Sequence, residues 1–132
     1  MKQIVIIKTG DTLPEIMAVF QDFEHWITRG LNVDPDRVRV IDVARNGALP
    51  SPDSILGAVI AGSHAMVTEN LDWSLRIESW IPREIQSQVP LLGICYGHQL
   101  IAKAMGGTVD FHPQGMELGT VNIQLADAAG TD

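Results

Sequence analysis

Pro90-Leu91-Leu92-Gly93-Ile94-Cys95-Tyr96-Gly97-His98-Gln99-Leu100 is the stretch that decides the fold. A short apolar run behind a proline reads as a buried strand. Gly93 and Gly97 then bracket the single cysteine of the chain. Beyond Gly97 the apolar positions Leu100, Ile101 and Ala104 switch to helical spacing. Strand, tight turn and helix therefore meet at Cys95, as in a nucleophile elbow, where the turn lifts one side chain clear of the sheet. The helix N-terminus points at the turn, and its free N–H groups and dipole favour a thiolate. A lone cysteine after an apolar run also fits a small core hydrophobe. The two glycines argue against that use. They add no packing and cost backbone entropy, so they belong where the backbone turns sharply or comes close to something.

Outward from this stretch, strands and helices alternate. Gln3 to Ile7 reads as a strand buried on both faces, as in parallel sheets. Thr12-Leu13-Pro14-Glu15 has the pattern of a capping box. Leu13, Ile16, Met17, Phe20, Phe23 and Ile27 follow at helical spacing, which predicts one amphipathic helix stopped at Gly30 with its aromatic stripe in the core. Val38, Val40, Ile41 and Val43 predict a second strand, and Ala44 to Asp53, with Asn46-Gly47 and two prolines, a surface loop. A third strand is best at Ala58 to Ala61 and ends in Gly62-Ser63-His64. Glu69 to Gln88 reads as mostly helical, with Ile77, Trp80, Ile81 and Ile85 on one side and Pro82 kinking or dividing it. After the elbow helix, Gly97 to Met105, short strands are expected at Thr108-Val109 and at Thr120 to Leu125. Such alternation implies right-handed crossovers and an open, mostly parallel sheet. Ligands bind beyond the carboxyl ends of its strands. The loops after Ile7, Ala61 and Ile94 share that edge, so Gly62-Ser63 and Cys95 are expected to be close in space.

The 132 residues fit one domain, against about 100–200 residues per domain. No apolar run reaches the ~18 residues of a membrane span. Sixteen carboxylates stand against nine Lys and Arg, with no basic stripe, which argues against a nucleic-acid partner. One cysteine rules out an internal disulfide framework and fits a cytoplasmic protein. No phosphate-binding glycine loop or dinucleotide fingerprint follows the first strand, and one cysteine with irregularly spaced histidines is poor evidence for zinc. No cofactor and no metal is expected.

A cysteine on an elbow suits acyl transfer: the thiolate attacks a carbonyl carbon, and N–H donors held in advance receive the oxyanion. Tyr96 supplies one N–H as the residue after the nucleophile. A second donor is available at the Gly62-Ser63 turn. The Tyr96 side chain is expected only to wall the pocket. None of the four histidines, His25, His64, His98 and His112, completes a convincing Cys-His-acid set. His25 reads as solvated, His98 as wall or surface, His64 as a loop residue without an orienting carboxylate, and His112 has no assignable place.

Gly93-Ile94-Cys95-Tyr96-Gly97-His98-Gln99 resembles the signature of the class I glutamine amidotransferases, in their GMP-synthase-like, stand-alone branch. Ala61-Gly62-Ser63 is similar to the oxyanion turn of that family, and Ala104 to Gly107 and Gly115 to Thr120 are similar to its downstream segments. The resemblance implies a flavodoxin-like α/β sheet with helices on both faces, and glutamine as substrate. Cys95 would be the nucleophile, the N–H groups of Ser63 and Tyr96 the oxyanion hole with Gly62 shaping its turn, and Gln99 a holder of substrate. Ammonia would pass to an acceptor on a synthetase partner. Two departures stand out. His64 occupies a position that is proline in many relatives, and no His-x-Glu pair follows the cysteine. Residues 1–132 are therefore expected to be the N-terminal part of a single such domain, cut before its last strands by a clip or an engineered end. Such a part should be inactive alone, with its uncovered surface met by a second copy or a retained C-terminal fragment. Two rivals remain open: a cysteine hydrolase of γ-glutamyl compounds, and a non-enzymatic binding module if the natural chain ends at Asp132.

Overall fold

The computed structural model describes residues 1–127. Four parallel strands form one open sheet in the order β2-β1-β3-β4, with β1 at Gln3–Lys8, β2 at Val38–Asp42, β3 at Ile55–Ile60 and β4 at Leu91–Gly93. This is the flavodoxin-like order. The chain winds one way from β1 to β2 and the other way from β3 to β4, and right-handed crossovers then put the connections on opposite faces. Helices α1 (Pro14–Phe20) and α2 (Phe23–Leu31) lie in the first connection. Helix α3 (Asp72–Gln86) lies in the second and packs beside α4 (Tyr96–Ala104).

Side chains on a strand alternate between faces. Val5, Ile7, Ala58 and Ile60 point into the main core and meet Ile77, Trp80, Ile81, Tyr96 and Leu100 from α3 and α4. Ile6 and Val59 lie between them in sequence, are also buried, and stand outside that cluster. Both faces of the central strands are thus apolar, which is why β1 reads as an unbroken hydrophobic run. The Trp80 indole N–H reaches the Pro50 carbonyl at 2.8 Å and fastens α3 to the loop before β3.

Several sequence expectations are corrected. The helix expected from the capping box is two helices, α1 and α2. Gln21 turns left-handed (φ 67°), and Asp22 caps α2 by accepting the Phe23 N–H at 2.8 Å. Leu13, not Thr12, precedes α1, and the Thr12 N–H also goes to Asp22, at 2.8 Å. Asp22 is only 2% exposed and takes the Lys8 ammonium at 2.7 Å, so the break satisfies a buried charge. The aromatic stripe does not enter the core: α1 has no buried residue and Phe20 is 63% exposed. Helix α2 runs through Gly30 and ends at Asn32 (φ 51°). Helix α3 is continuous through Pro82, and Glu84 rather than Ile85 takes the inward position. Thr108-Val109 and Thr120 to Leu125 form no strand. Val121, Ile123 and Leu125 alternate but are exposed, and a strand without a neighbouring strand or a packed face has little to hold it.

Candidate active site

The elbow is built by close approach. A Cβ on Gly93 would come within 2.5 Å of the Gly97 carbonyl carbon and the His98 nitrogen, and one on Gly97 would collide with the Ile60 carbonyl. Only glycines let the first turn of α4 sit this tightly over β3 and β4. The Ile94 N–H extends the ladder to the Ile60 carbonyl at 2.9 Å, and the chain then turns at Cys95 (φ 52°, ψ −103°). That conformation is costly for a residue with a Cβ, by about 1–3 kcal/mol, and such strain concentrates at functional positions. The Cys95 side chain is exposed, so the core reading of this cysteine does not hold. The Gly97 N–H is taken by the Ile94 carbonyl at 3.0 Å. The Tyr96 N–H heads the helix, where no intrahelical acceptor exists.

The turn after β3 meets the elbow. A Cβ on Gly62 would lie 3.7 Å from the Cys95 Cβ. Gly62, Ser63, His64 and Cys95 border one cavity of about 670 Å³, whose other walls include Phe23, Trp26, Leu92 and Ile94. Apolar side chains dominate it, and Leu92 is 55% exposed. The Ser63 hydroxyl is engaged locally, accepting the Ala65 N–H at 3.1 Å. His64 leans on Phe23 at 6.3 Å between ring centroids.

The remaining predicted residues lie elsewhere. The Tyr96 side chain is not a pocket wall. It is 2% exposed, donates to the Ser74 hydroxyl at 2.6 Å and stacks near Trp73, because its Cα faces α3 across the core. Burial raises its pKa. Gln99 is half-buried and borders a second cavity, with His98, Thr68 and residues 108–112 and 115–117, apart from the one that holds Cys95. His112 is exposed, and its Nδ1 accepts the Gln114 N–H at 3.1 Å. His25 is exposed on α2. Among the described residues no group of three His, Cys, Asp or Glu is placed to hold a metal ion, and no helix is long and apolar enough to cross a membrane.

Sequence reasoning missed the polar end of β1. The Lys8 ammonium is gripped by Asp11 at 2.8 Å, Asp22 at 2.7 Å and Glu24 at 2.9 Å. Burial alone would lower its pKa, but these hydrogen bonds outweigh burial and hold it above the usual lysine range. Asp11 is held well below the usual carboxylate range by Arg45 and then by Lys8. The network fixes the start of α2, and with it Phe23 at the mouth of the cavity. The signal was available: a lysine closing a buried apolar run requires carboxylates nearby.

The family model described as glutamine amidotransferase class-I matches residues 25–131. The chain is 36% identical over 97 residues to gamma-glutamyl peptidase 4 of Arabidopsis thaliana, covering 71% of this chain and 37% of that protein. It is 37% identical over 71 residues to the glutamine-hydrolyzing GMP synthase of Aeropyrum pernix, covering 54% of this chain and 13% of that one. The solved glutamine amido transferase from Methylobacillus flagellatus superposes with a TM-score of 0.61 at 23% identity, over 85% of this chain and 41% of that chain. The chain spans 31–37% of the length of the first curated relatives it matches.

Proposed function

Because this chain belongs to the class I glutamine amidotransferase family, we propose that it carries the nucleophile and the oxyanion hole of a glutaminase site. The carrying observation is Cys95: exposed, strained at the head of α4, and packed against the Gly62 turn. The Cys95 thiolate adds to the side-chain amide carbon of glutamine. The negative charge moves to the amide oxygen, where the N–H groups of Tyr96 and Ser63 receive it. The tetrahedral adduct collapses, the C–N bond breaks, and nitrogen leaves as ammonia after gaining a proton. The γ-glutamyl thioester is then hydrolysed by water to glutamate, freeing the thiol.

Each transfer needs a group to move the proton. None of the four histidines is set beside Cys95 with an orienting carboxylate, and the sequence holds no His-x-Glu pair after the cysteine. The 132-residue chain alone therefore makes no meaningful turnover. Ammonia is handed to an acceptor bound by a synthetase partner, and the protein works in the cytoplasm.

A second reading has its own support. The cavity beside Cys95 is walled by Phe23, Trp26, Leu92 and Ile94, which suits a γ-glutamyl compound with an apolar leaving group better than a bare amide. Steady-state hydrolysis by the full-length protein tests both. Glutamine turnover that disappears in Cys95→Ala supports the first. Hydrolysis of γ-glutamyl anilides well above that of glutamine moves the assignment to the second. Undiminished glutaminase activity in Cys95→Ala rejects a nucleophilic role for the cysteine.

A further inference from the structure

Thr9 follows β1 directly and is 1% exposed. A buried hydroxyl needs partners. This one lies 3.1 Å from the Ala61 carbonyl oxygen and 2.9 Å from the Gly62 carbonyl oxygen, 52 and 53 residues further along the chain. It has one proton to donate, shared between the two acceptors.

Those carbonyls belong to the peptide units on either side of Gly62. The unit that carries the Gly62 carbonyl also carries the Ser63 N–H. A peptide unit is planar and trans, so its N–H points opposite to its C=O. Holding the Gly62 carbonyl against Thr9 therefore fixes the direction of the Ser63 N–H, away from Thr9. Sheet pairing does not do this, because the ladder from β1 ends one residue earlier, with the Ala61 N–H on the Ile7 carbonyl at 3.0 Å. Gly62 itself restrains its two peptide planes less than any other residue would. The turn is backed by Gly10, where a Cβ would stand 3.0 Å from the Ser63 hydroxyl, and faces Cys95 through Gly62.

We propose that Thr9 is a positioning residue of the oxyanion turn, whose hydroxyl orients the Gly62–Ser63 peptide so that the Ser63 N–H meets the oxyanion formed on Cys95. The proposal rests on the glutaminase reading of Cys95.

The test compares Thr9→Val, which keeps the shape and loses the donor, with Thr9→Ser, which keeps the donor. In the full-length protein Thr9→Val should lower kcat for glutamine by about ten- to a hundred-fold, as a misplaced oxyanion donor does, with KM within about two-fold. Thr9→Ser should recover kcat to within about three-fold of the parent. Alkylation of Cys95 by iodoacetamide, which needs no oxyanion hole, should be equal in all three. A second readout needs no turnover: the Ser63 amide resonance should shift in Thr9→Val and return in Thr9→Ser. The proposal is overturned by an unmoved Ser63 amide, by unchanged kcat in Thr9→Val, by a Thr9→Ser as impaired as Thr9→Val, or by iodoacetamide reactivity that falls with kcat. A parent protein that hydrolyses no glutamine while its Ser63 amide still responds to Thr9→Val counts against the glutaminase reading and overturns the catalytic part of the proposal, leaving Thr9 as an anchor of the turn.

Discussion

At Cys95 the backbone adopts φ 52° and ψ −103°, a conformation in which any Cβ is unwelcome. The thiol is thus held in place at a cost to stability, and glycine should relieve it. We expect Cys95→Gly to unfold at higher denaturant than Cys95→Ala, by about 1 kcal/mol, since both lack sulfur and differ in the strained Cβ. Equal midpoints in chemical denaturation would show the turn to be unstrained. Gly93 and Gly97 announced this turn in the sequence, because two glycines around one cysteine have no packing use. The fate of the Tyr96 side chain was not legible. Its partner Ser74 lies 22 residues away on another helix, and nothing local links them.

The first crossover shows how a buried charge overrides helical spacing. Apolar residues repeat at helical intervals from Leu13 to Ile27, yet Lys8 needs Asp22, and Asp22 satisfies it by leaving the helix and capping the next one. Asp22 followed by Glu24 is an N-terminal signal in its own right, outweighed in the sequence by the apolar stripe. Replacing Lys8 with Met leaves Asp22 and Glu24 facing each other without their cation. The expected loss is about 3–5 kcal/mol at neutral pH, read from urea unfolding. The folded state holds Asp11 ionised more firmly than the unfolded chain does, so this carboxylate stabilises above the unfolded value of about 3.9 and stops doing so as pH falls through its lower folded value. The parent should therefore lose stability steeply below about pH 4. Helix α3 holds the opposite case. Glu84 is fully buried, and neither carboxylate oxygen has a hydrogen-bond partner among the described residues. Burial raises its pKa, Arg83 opposes the rise and Asp53 adds to it. The folded carboxyl keeps its proton longer than the unfolded one, so stability falls as pH rises from about 4.3 towards the raised folded value. Glu84→Met should stabilise by about 1–3 kcal/mol at pH 7, with a smaller gain near pH 4. A gain in melting temperature independent of pH would contradict a buried, titrating carboxyl. Reading Ile85 as the inward residue missed this, because periodicity alone does not tell which of two neighbours near a helix end turns inward.

Across the molecule, what brings Thr9, Gly62-Ser63 and Cys95 together is the sheet order β2-β1-β3-β4, which sets the ends of β1, β3 and β4 side by side. Three apolar runs, each closed by small or polar residues at its carboxyl end, made that edge legible in the sequence. The two late strands were not realised, since alternation in Val121, Ile123 and Leu125 describes a face and supplies no neighbour to pair with. Nor did spacing foretell that Gln99 and Cys95 border different cavities, which depends on how residues 108–117 lie against α4. If the glutaminase proposal holds, this edge serves one purpose, to make Cys95 attack a glutamine side chain. Treating the full-length protein with an electrophilic glutamine analogue and mapping the modified peptide tests this directly. We expect one equivalent of label, on Cys95, slowed by excess glutamine. Label on another residue, or Cys95 modified equally fast with and without glutamine, would contradict it.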